Sequence, residues 1–205
     1  MSMVICDGMS AWERGVKRVF DIVCSLFGLI FLSPAFLYVY ILLRRQGDGP
    51  VIFSQERIGY KGKPFNIYKF RTMRVDSEAE GTPKLAKQGD DRLTPVGKFL
   101  REHHLDELPQ LWNVFCGDMS FVGPRPERKY YIDLIMKENP DYQYIYLMRP
   151  GLTSMATVYN GYTGTMEKML IRLQMDLDYL VHRSLWGDLK IIITTVAYIV
   201  YGKKF

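Results

Sequence analysis
The run Ile22-Val23-Cys24-Ser25-Leu26-Phe27-Gly28-Leu29-Ile30-Phe31-Leu32-Ser33-Pro34-Ala35-Phe36-Leu37-Tyr38-Val39-Tyr40-Ile41-Leu42-Leu43 contains no charged residue, and its reading decides the fold. At about 1.5 Å of rise per residue, ~20 apolar residues are enough to cross a bilayer as a helix. The run is too long for a cleavable signal peptide and has no small-residue cleavage site. A straight span is the simple reading, and two features oppose it. Ser33-Pro34 stands at the midpoint, where Pro34 removes the bond to the carbonyl of Ile30 and crowds that turn. The Ser33 hydroxyl can bond back to an earlier carbonyl and satisfy the freed group. Arg14, Lys17 and Arg18 precede the run, and Arg44 and Arg45 follow it. Basic residues mark cytoplasmic flanks, so matched flanks place both ends on one face. Kink and symmetry together describe a helix that enters, bends and returns. The alternative is a proline-kinked span. Before the run, residues 1–10 read as a loose leader.

After it, Gly47-Asp48-Gly49-Pro50 is a turn that ends the membrane element. Val51 to Arg57 reads as a strand, Gly59 to Pro64 as a turn, and Phe65 to Phe70 as the return strand of a hairpin. Arg57, Lys69, Arg71 and Arg74 lie on or just beyond this hairpin, facing either a phosphate or solvent. Residues 76–92 are polar, with Gly81, Pro83 and Gly89, and read as a loop. Thr94-Pro95 then starts a helix as cap and first helical residue, with Val96, Phe99 and Leu100 as its apolar stripe. His103 and His104 are adjacent and lack a metal-site spacing.

Two neighbouring carboxylates follow, at the head of the apolar run Leu105-Asp106-Glu107-Leu108-Pro109-Gln110-Leu111-Trp112-Asn113-Val114. Read as an N-cap, Asp106 puts Pro109 in the first turn and both acids at the positive end of a helix dipole. That position favours anions and attracts phosphate. Such a pair suits one carboxylate as nucleophile and the other as a Mg²⁺ ligand. The plain alternative is a capped surface helix with two solvated acids. Gly123-Pro124-Arg125-Pro126 is a rigid loop in which two prolines aim one guanidinium. Arginine suits bidentate phosphate recognition, although a structural turn explains the pattern equally well.

Towards the C-terminus, Glu127 to Lys137 reads as a helix, and Asn139-Pro140 caps another that stops at Arg149-Pro150-Gly151. Leu152 to Gly164 reads as an ordered loop. Met166, Met169, Leu170, Leu173, Leu177, Leu180 and Val181 repeat at helical spacing, with Asp176 and Asp178 in the same helix. Ile191 to Tyr201 is an uncharged run between lysines, with Gly202 as its stop. It is too short to span, so it suits the membrane interface or a buried core equally.

The whole chain has 205 residues, 48% of them hydrophobic, a net charge of +5 and a pI near 9.0. That length is one domain with room for an appendage. The basic balance suits an anionic partner: a nucleotide, a lipid head group or nucleic acid. A nucleic-acid role is disfavoured, because no recognised binding motif is present and a membrane run is unusual company for it. Cys6, Cys24 and Cys116 have no metal or redox spacing and read as reduced thiols in a cytoplasmic setting.

Taken in order, these residues resemble the monotopic phosphoglycosyl transferases, also called bacterial sugar transferases, over about Lys17 to Thr195. The resemblance is carried by Lys17-Arg18 with Asp21, Ser33-Pro34, and Gly49-Pro50-Val51 with Phe53, Gln55, Arg57 and Gly59. Lys69-Phe70-Arg71-Thr72-Met73 and Asp91-Arg92 with Thr94 and Gly97 follow. Its strongest part is Leu105-Asp106-Glu107-Leu108-Pro109-Gln110-Leu111, Asn113-Val114, Gly117-Asp118-Met119-Ser120 and Val122-Gly123-Pro124-Arg125-Pro126. Arg149-Pro150-Gly151, Asp176, Tyr179, Ser184 and Asp188 complete it.

The resemblance implies transfer of a sugar 1-phosphate from a UDP-sugar to a polyprenyl (undecaprenyl) phosphate, with release of UMP, as the first membrane step of glycoconjugate assembly. It implies Asp106 as the nucleophile that forms an aspartyl-phosphosugar and Glu107 as a Mg²⁺ ligand. Arg125, Lys69, Arg101, Arg71, Pro124 and Asp176 are the expected substrate-binding residues, and Ser33 and Pro34 the break in the membrane helix. It favours the re-entrant reading, with the catalytic part on the cytoplasmic face of a bacterial inner membrane. The expected fold is α+β, mainly helical with a small β-hairpin, an N-terminal re-entrant membrane helix and interfacial amphipathic helices. The expected division is a leader and membrane helix over 1–46 and a catalytic domain over 47–205.

The sequence departs from the family pattern in two places. His104 stands where serine usually precedes Leu-Asp-Glu, which removes a side-chain cap. Leu152-Thr153-Ser154-Met155-Ala156 and Asn160-Gly161-Tyr162 replace the commoner residues of a region that shapes the sugar pocket, so the usual sugar preferences do not carry over. The chain also reads as the minimal catalytic form, without the multi-helix N-terminal extension of larger relatives. The competing reading is a non-catalytic membrane-surface module that grips anionic lipid or nucleotide.

Overall fold
The computed structural model describes residues 5–47, 49–75, 77, 90–161 and 164–201. The polar stretch 76–92, Asp48 of the first turn, Tyr162 and the Gly202 stop lie largely or wholly outside those residues. The chain opens with helix α1 (Ala11–Phe31), started by a capping box between Ser10 and Glu13. Helix α2 (Ser33–Arg45) follows after a break at Leu32, with Pro34 in its first turn. The two helices meet at a bend of 58°. Among the described residues no single helix is long and apolar enough to cross a membrane, and only this bent pair reaches that length and composition. Proline therefore ends one helix and starts the next rather than kinking a continuous one. The expected Ser33 back-bond is not made among the described residues; Ser25 makes one instead, donating to the Asp21 carbonyl at 2.6 Å.

Strands β1 (Ile52–Ile58) and β2 (Pro64–Phe70) form the expected antiparallel hairpin, with Phe53 opposite Lys69. Helix α3 (Pro95–Glu102) starts on the Thr94 cap, which accepts from Gly97 N at 2.9 Å. A 3-10 turn, Leu105–Glu107, leads into α4 (Gln110–Cys116). Strand β3 (Ser120–Val122), helix α5 (Lys129–Glu138) and a 3-10 segment, Pro140–Leu147, follow. That last segment was expected as a helix and winds more tightly. Strand β4 (Gly151–Thr153) and helix α6 (Met155–Asn160) occupy most of the stretch expected as a loop. Helices α7 (Met166–His182) and α8 (Leu185–Val200) complete the chain, on Thr165 and Ser184 caps.

The fold is α+β and mainly helical, and it holds a second two-stranded sheet, the parallel pair β3–β4. Pattern reading misses strands of three residues, which are too short to show alternation. Of three buried apolar clusters among the described residues, two frame the rest of the fold. In one, α5, α7 and the Pro140–Leu147 segment bury Ile132, Ile135, Tyr142, Leu173 and Leu180. In the other, Val39 and Leu43 of α2 pack with Val51, Phe70 and Leu100, against which Leu105 and Leu108 rest. The second cluster fixes the acid pair, because these two leucines flank Asp106 and Glu107.

The first ten residues are not a loose leader over their described part. Asp7 accepts from Arg183 Nε at 2.6 Å, Gly8 N donates to Leu180 O at 2.9 Å, and Met9 is buried. The basic flank of α1 is likewise engaged with protein. Arg18 donates to the carbonyls of Val114 (2.6 Å) and Phe115 (2.7 Å), satisfying the last turn of α4. Lys17 pairs with Asp188, to which Tyr179 also donates. Asp21 is buried and accepts from Ser120 Oγ (3.2 Å) and Phe121 N (3.1 Å), fastening α1 to β3. Elsewhere α1 and α2 expose Val19, Val23, Phe27, Ile30, Phe31 and Leu37. Helix α8 exposes Trp186, Ile193 and Val196, so it is not a buried core helix.

Candidate active site
The acid pair sits in a tight turn. His104 takes a left-handed conformation (φ 54°) and makes no side-chain cap bond, as expected where serine is missing. The Leu105–Glu107 turn closes behind it through Glu107 N to His104 O and Leu108 N to Leu105 O. Asp106 is therefore not the N-cap of the following helix. Helix α4 begins only at Gln110, with Pro109 in the cap position. The acids lie in the tight turn before it, so the helix dipole does not govern them.

Asn113 locks α4 onto the hairpin. It is fully buried, accepts from Tyr68 N at 3.1 Å and donates to Asn66 O at 2.7 Å. Its own carbonyl receives Asp118 N and Met119 N, which turn the chain towards β3. This anchor puts Lys69, next to Tyr68, opposite Glu107. Lys69 Nζ donates to Glu107 Oε1 at 2.6 Å, and Arg125 Nη1 stands 4.0 Å from the same oxygen.

Arg125 is presented by the parallel pair. Ser120 N bonds Pro150 O (2.8 Å), Gly123 N bonds Thr153 O (3.0 Å) and Gly151 N bonds Pro124 O (2.9 Å). The two backbones touch: a Cβ on Gly151 would lie 2.1 Å from Gly123 N, so only glycine fits there. Arg57 of β1 holds the far end of the turn, donating to Pro126 O at 3.1 Å. Arg125 itself stays 41% exposed, the open member of the set.

The surroundings push the two acids in opposite directions. Burial pushes the Asp106 carboxyl above its ordinary range, and the neighbouring Glu107 charge adds to that against the pull of Lys69 and Arg101. Burial also opposes ionisation of Glu107, but Lys69 and then Arg125 outweigh it and hold this carboxyl well below the usual range. One buried, poorly hydrated carboxylate thus lies beside one firmly ionised one. Among the described residues no three His, Cys, Asp or Glu side chains converge as a ready metal cage. The acid pair fits a cation such as Mg²⁺, which takes one or two carboxylates and completes its shell with phosphate oxygens and water.

The structure brings together Asp106, Glu107, Lys69, Arg101 and Arg125. It places Asp176 one layer behind, buried in α7. There Asp176, Arg172, Glu127, Arg125 and Pro124 line a cavity with room for about one water molecule. Arg172 Nη1 donates to Glu127 Oε1 at 2.9 Å, and Arg57 Nη1 lies 3.7 Å from Glu127 Oε2. Among the described residues Asp176 Oδ1 has no hydrogen-bond partner, and burial raises its carboxyl to about 7 although Arg172 pulls the other way. Arg71 is also buried, just beyond the end of β2. Sequence reasoning gave no role to Asn113, Glu127 or Arg172. A polar residue inside the apolar helix Gln110–Cys116 was the available signal for Asn113; for the other two, pairing across 45 residues left none.

The sequence profile of the bacterial sugar transferase family matches residues 12–202. The chain belongs to that family. It is 39% identical over 187 residues to the UDP-N-acetylgalactosamine-undecaprenyl-phosphate N-acetylgalactosaminephosphotransferase of Aeromonas hydrophila, covering 91% of this chain and 44% of that protein. It is 42% identical to the UDP-glucose:undecaprenyl-phosphate glucose-1-phosphate transferase of Caulobacter vibrioides, covering 88% of this chain and 68% of that protein. It is 38% identical to the exopolysaccharide production protein PSS of Rhizobium leguminosarum, covering 93% of this chain and 98% of that protein. The chain thus spans less than half of the first relative and nearly all of the last.

Proposed function
We propose that this chain transfers a sugar 1-phosphate from a UDP-sugar to undecaprenyl phosphate and releases UMP, as the first membrane step in building a glycoconjugate. The carrying observation is the Asp106–Glu107 turn, two adjacent acids of opposite charge tendency faced by Lys69 and Arg125. Family membership and the names of the relatives support the same reading. Those names specify different sugars, so the sugar is left open.

In this reading an Asp106 carboxylate oxygen attacks the β-phosphorus of the UDP-sugar. The new O–P bond forms as the bond to the UMP oxygen breaks, and UMP leaves with that electron pair. An oxygen of the lipid phosphate then attacks the same phosphorus, and Asp106 departs as carboxylate. Arg125 binds a phosphate of the nucleotide, and Lys69 holds Glu107 ionised and in place. Glu107 would hold Mg²⁺, which would supply neutralisation of charge on the phosphoryl group. Burial of Asp106 removes the hydration that would blunt it as a nucleophile.

The α1–α2 pair is the membrane element, re-entrant from the cytoplasmic face of the bacterial inner membrane. The 58° bend and the basic residues at both ends support this. Cysteine labelling from each side of intact membrane tests it: a periplasmic tag before Val19 with cytoplasmic residues after Leu43 defeats re-entry. Replacing Pro34 is expected to move some molecules toward a full span.

The deciding experiment is UMP release from a panel of UDP-sugars with undecaprenyl phosphate and Mg²⁺. Release that depends on Asp106 supports the transferase. Binding of lipid and nucleotide without release from any UDP-sugar favours a non-catalytic surface module.

A further inference from the structure
Arg71 has an arrangement that the acid-pair chemistry does not use. Its side chain is 6% exposed, and both terminal guanidinium nitrogens are buried with no hydrogen-bond partner among the described residues. A guanidinium without a counter-charge costs several kcal/mol to bury, so such a site calls for an anion. The fold makes room for the group deliberately. Gly49 sits at φ +77°, and a Cβ there would lie 2.9 Å from Arg71 Nη1 and 2.7 Å from Val75 Cγ2. Glycine is the residue that takes this conformation without strain and leaves the guanidinium its space.

The location says which anion. Arg71 N donates to Val51 O at 2.9 Å, so the hairpin ladder continues one step past Phe70. In that ladder Arg71 and Lys69 share a face, and Lys69 reaches Glu107. Gly49 is four residues beyond the last residue of α2, whose apolar side packs against Phe70 through Phe36 and Leu43. Arg71 therefore stands between the end of the α1–α2 pair and the acid turn, whereas Arg125 enters the site from the connection between β3 and α5.

We propose that Arg71 binds the phosphate of the membrane lipid that accepts the sugar phosphate, a site separate from the Arg125 position for the nucleotide. The assignment rests on the transferase reading for the identity of the lipid, and its binding step is measurable without turnover. The planar fork of arginine suits a terminal phosphate monoester, which offers two oxygens to it at once.

The test uses the full chain in nanodiscs, with Asp106→Asn as the background so that no chemistry intervenes. Binding of undecaprenyl phosphate, undecaprenol and a UDP-sugar is measured with Arg71 intact and with Arg71→Gln. The expected result is a loss of undecaprenyl phosphate affinity roughly tenfold larger than any loss for the UDP-sugar, the worth of one charge-assisted hydrogen bond. Undecaprenol, lacking the phosphate, is expected to bind equally to both. Competition by inorganic phosphate at the concentration of the lipid would show an anion site with no lipid specificity and overturn the assignment. An equal loss for lipid and nucleotide, or no loss for the lipid, overturns it as well. If Arg71→Gln does not fold, Arg71→Lys keeps the charge without the fork and is read the same way. Failure of the wild-type protein to release UMP from any UDP-sugar would defeat the transferase reading but leave the binding comparison standing.

Discussion

Two charged clusters lie back to back across the Pro124-Arg125-Pro126 turn, and they use their charges differently. In front, Lys69, Arg101 and Arg125 surround two acids, and Arg125 stays open to solvent. Behind, Arg57, Glu127, Arg172 and Asp176 are folded in on one another with space for little more than a water. The front cluster keeps cationic capacity for a ligand. The rear cluster spends its charges on holding the loop that carries Arg125. In the proposed mechanism similar residue types serve chemistry in one place and support in the other; Lys69, Glu107 and Arg125 are more exposed than Glu127 and Arg172, while Asp106 and Asp176 are equally buried.

The strongest test of this contrast is Asp106→Asn, which keeps the shape of the turn and removes the anion. The proposed chemistry predicts a loss of UMP release of about ten-thousandfold. It also predicts that mass spectrometry of the enzyme with UDP-sugar alone finds an acid-labile phosphosugar on Asp106 of the wild type and none on the variant. An adduct on Glu107, or UMP release strictly dependent on the lipid with nothing trapped, would reverse the roles or replace them with direct displacement.

The rear cluster answers to pH instead. The folded-state value of Asp176, about 7, lies above its ordinary 3.8, so between these values the folded protein keeps a proton that the unfolded chain has lost. Stability from this group is complete below pH 4, declines as pH rises towards 7 and is level above it. The decline amounts to at most about 4 kcal/mol. Asp176→Asn is expected to flatten it, as read from denaturant midpoints across that range. An unchanged slope would mean that Asp176 does not hold that extra proton in the folded protein.

Arg172→Ala is expected to cost about 3 kcal/mol of folding stability, because it removes the 2.9 Å hydrogen bond to buried Glu127 and leaves it the longer 3.7 Å pair with Arg57. Protein that survives should bind UDP-sugar with little change if the clusters are separate; a selective loss of nucleotide affinity at full stability would join them. The smallest effect is expected from Arg125→Lys. It keeps the charge and loses the fork, and should reduce kcat/KM by about tenfold without moving the melting temperature. Identical kinetics would leave Arg125 a structural residue of the turn.

Much of this was legible beforehand where the signal was local. The Thr94 and Ser33-Pro34 boundaries, the hairpin and the amphipathic α7 all follow from caps, turns and periodicity. The N-cap reading of Asp106 failed for a local reason as well. Nothing in the residue type of His104 announces a left-handed conformation, and that one residue tightens the turn and delays the helix to Gln110. The loose-leader reading failed for a distant reason: Asp7 finds Arg183 across 176 residues.

By itself the sequence determined the hairpin and the longer helices, the break at Ser33-Pro34, the family and the shortlist of charged residues, because these depend on neighbours a few positions apart. Only the tertiary structure decided which of those charges meet. It set Lys69 against Glu107 through Asn113, placed Arg125 on a parallel strand pair too short to be read, and moved Asp176 behind the loop. The physical reason is that charge state and partnership depend on burial and on contacts between distant segments. A buried carboxyl among apolar walls and an ionised one beside a lysine are the same kind of residue until the chain folds around them.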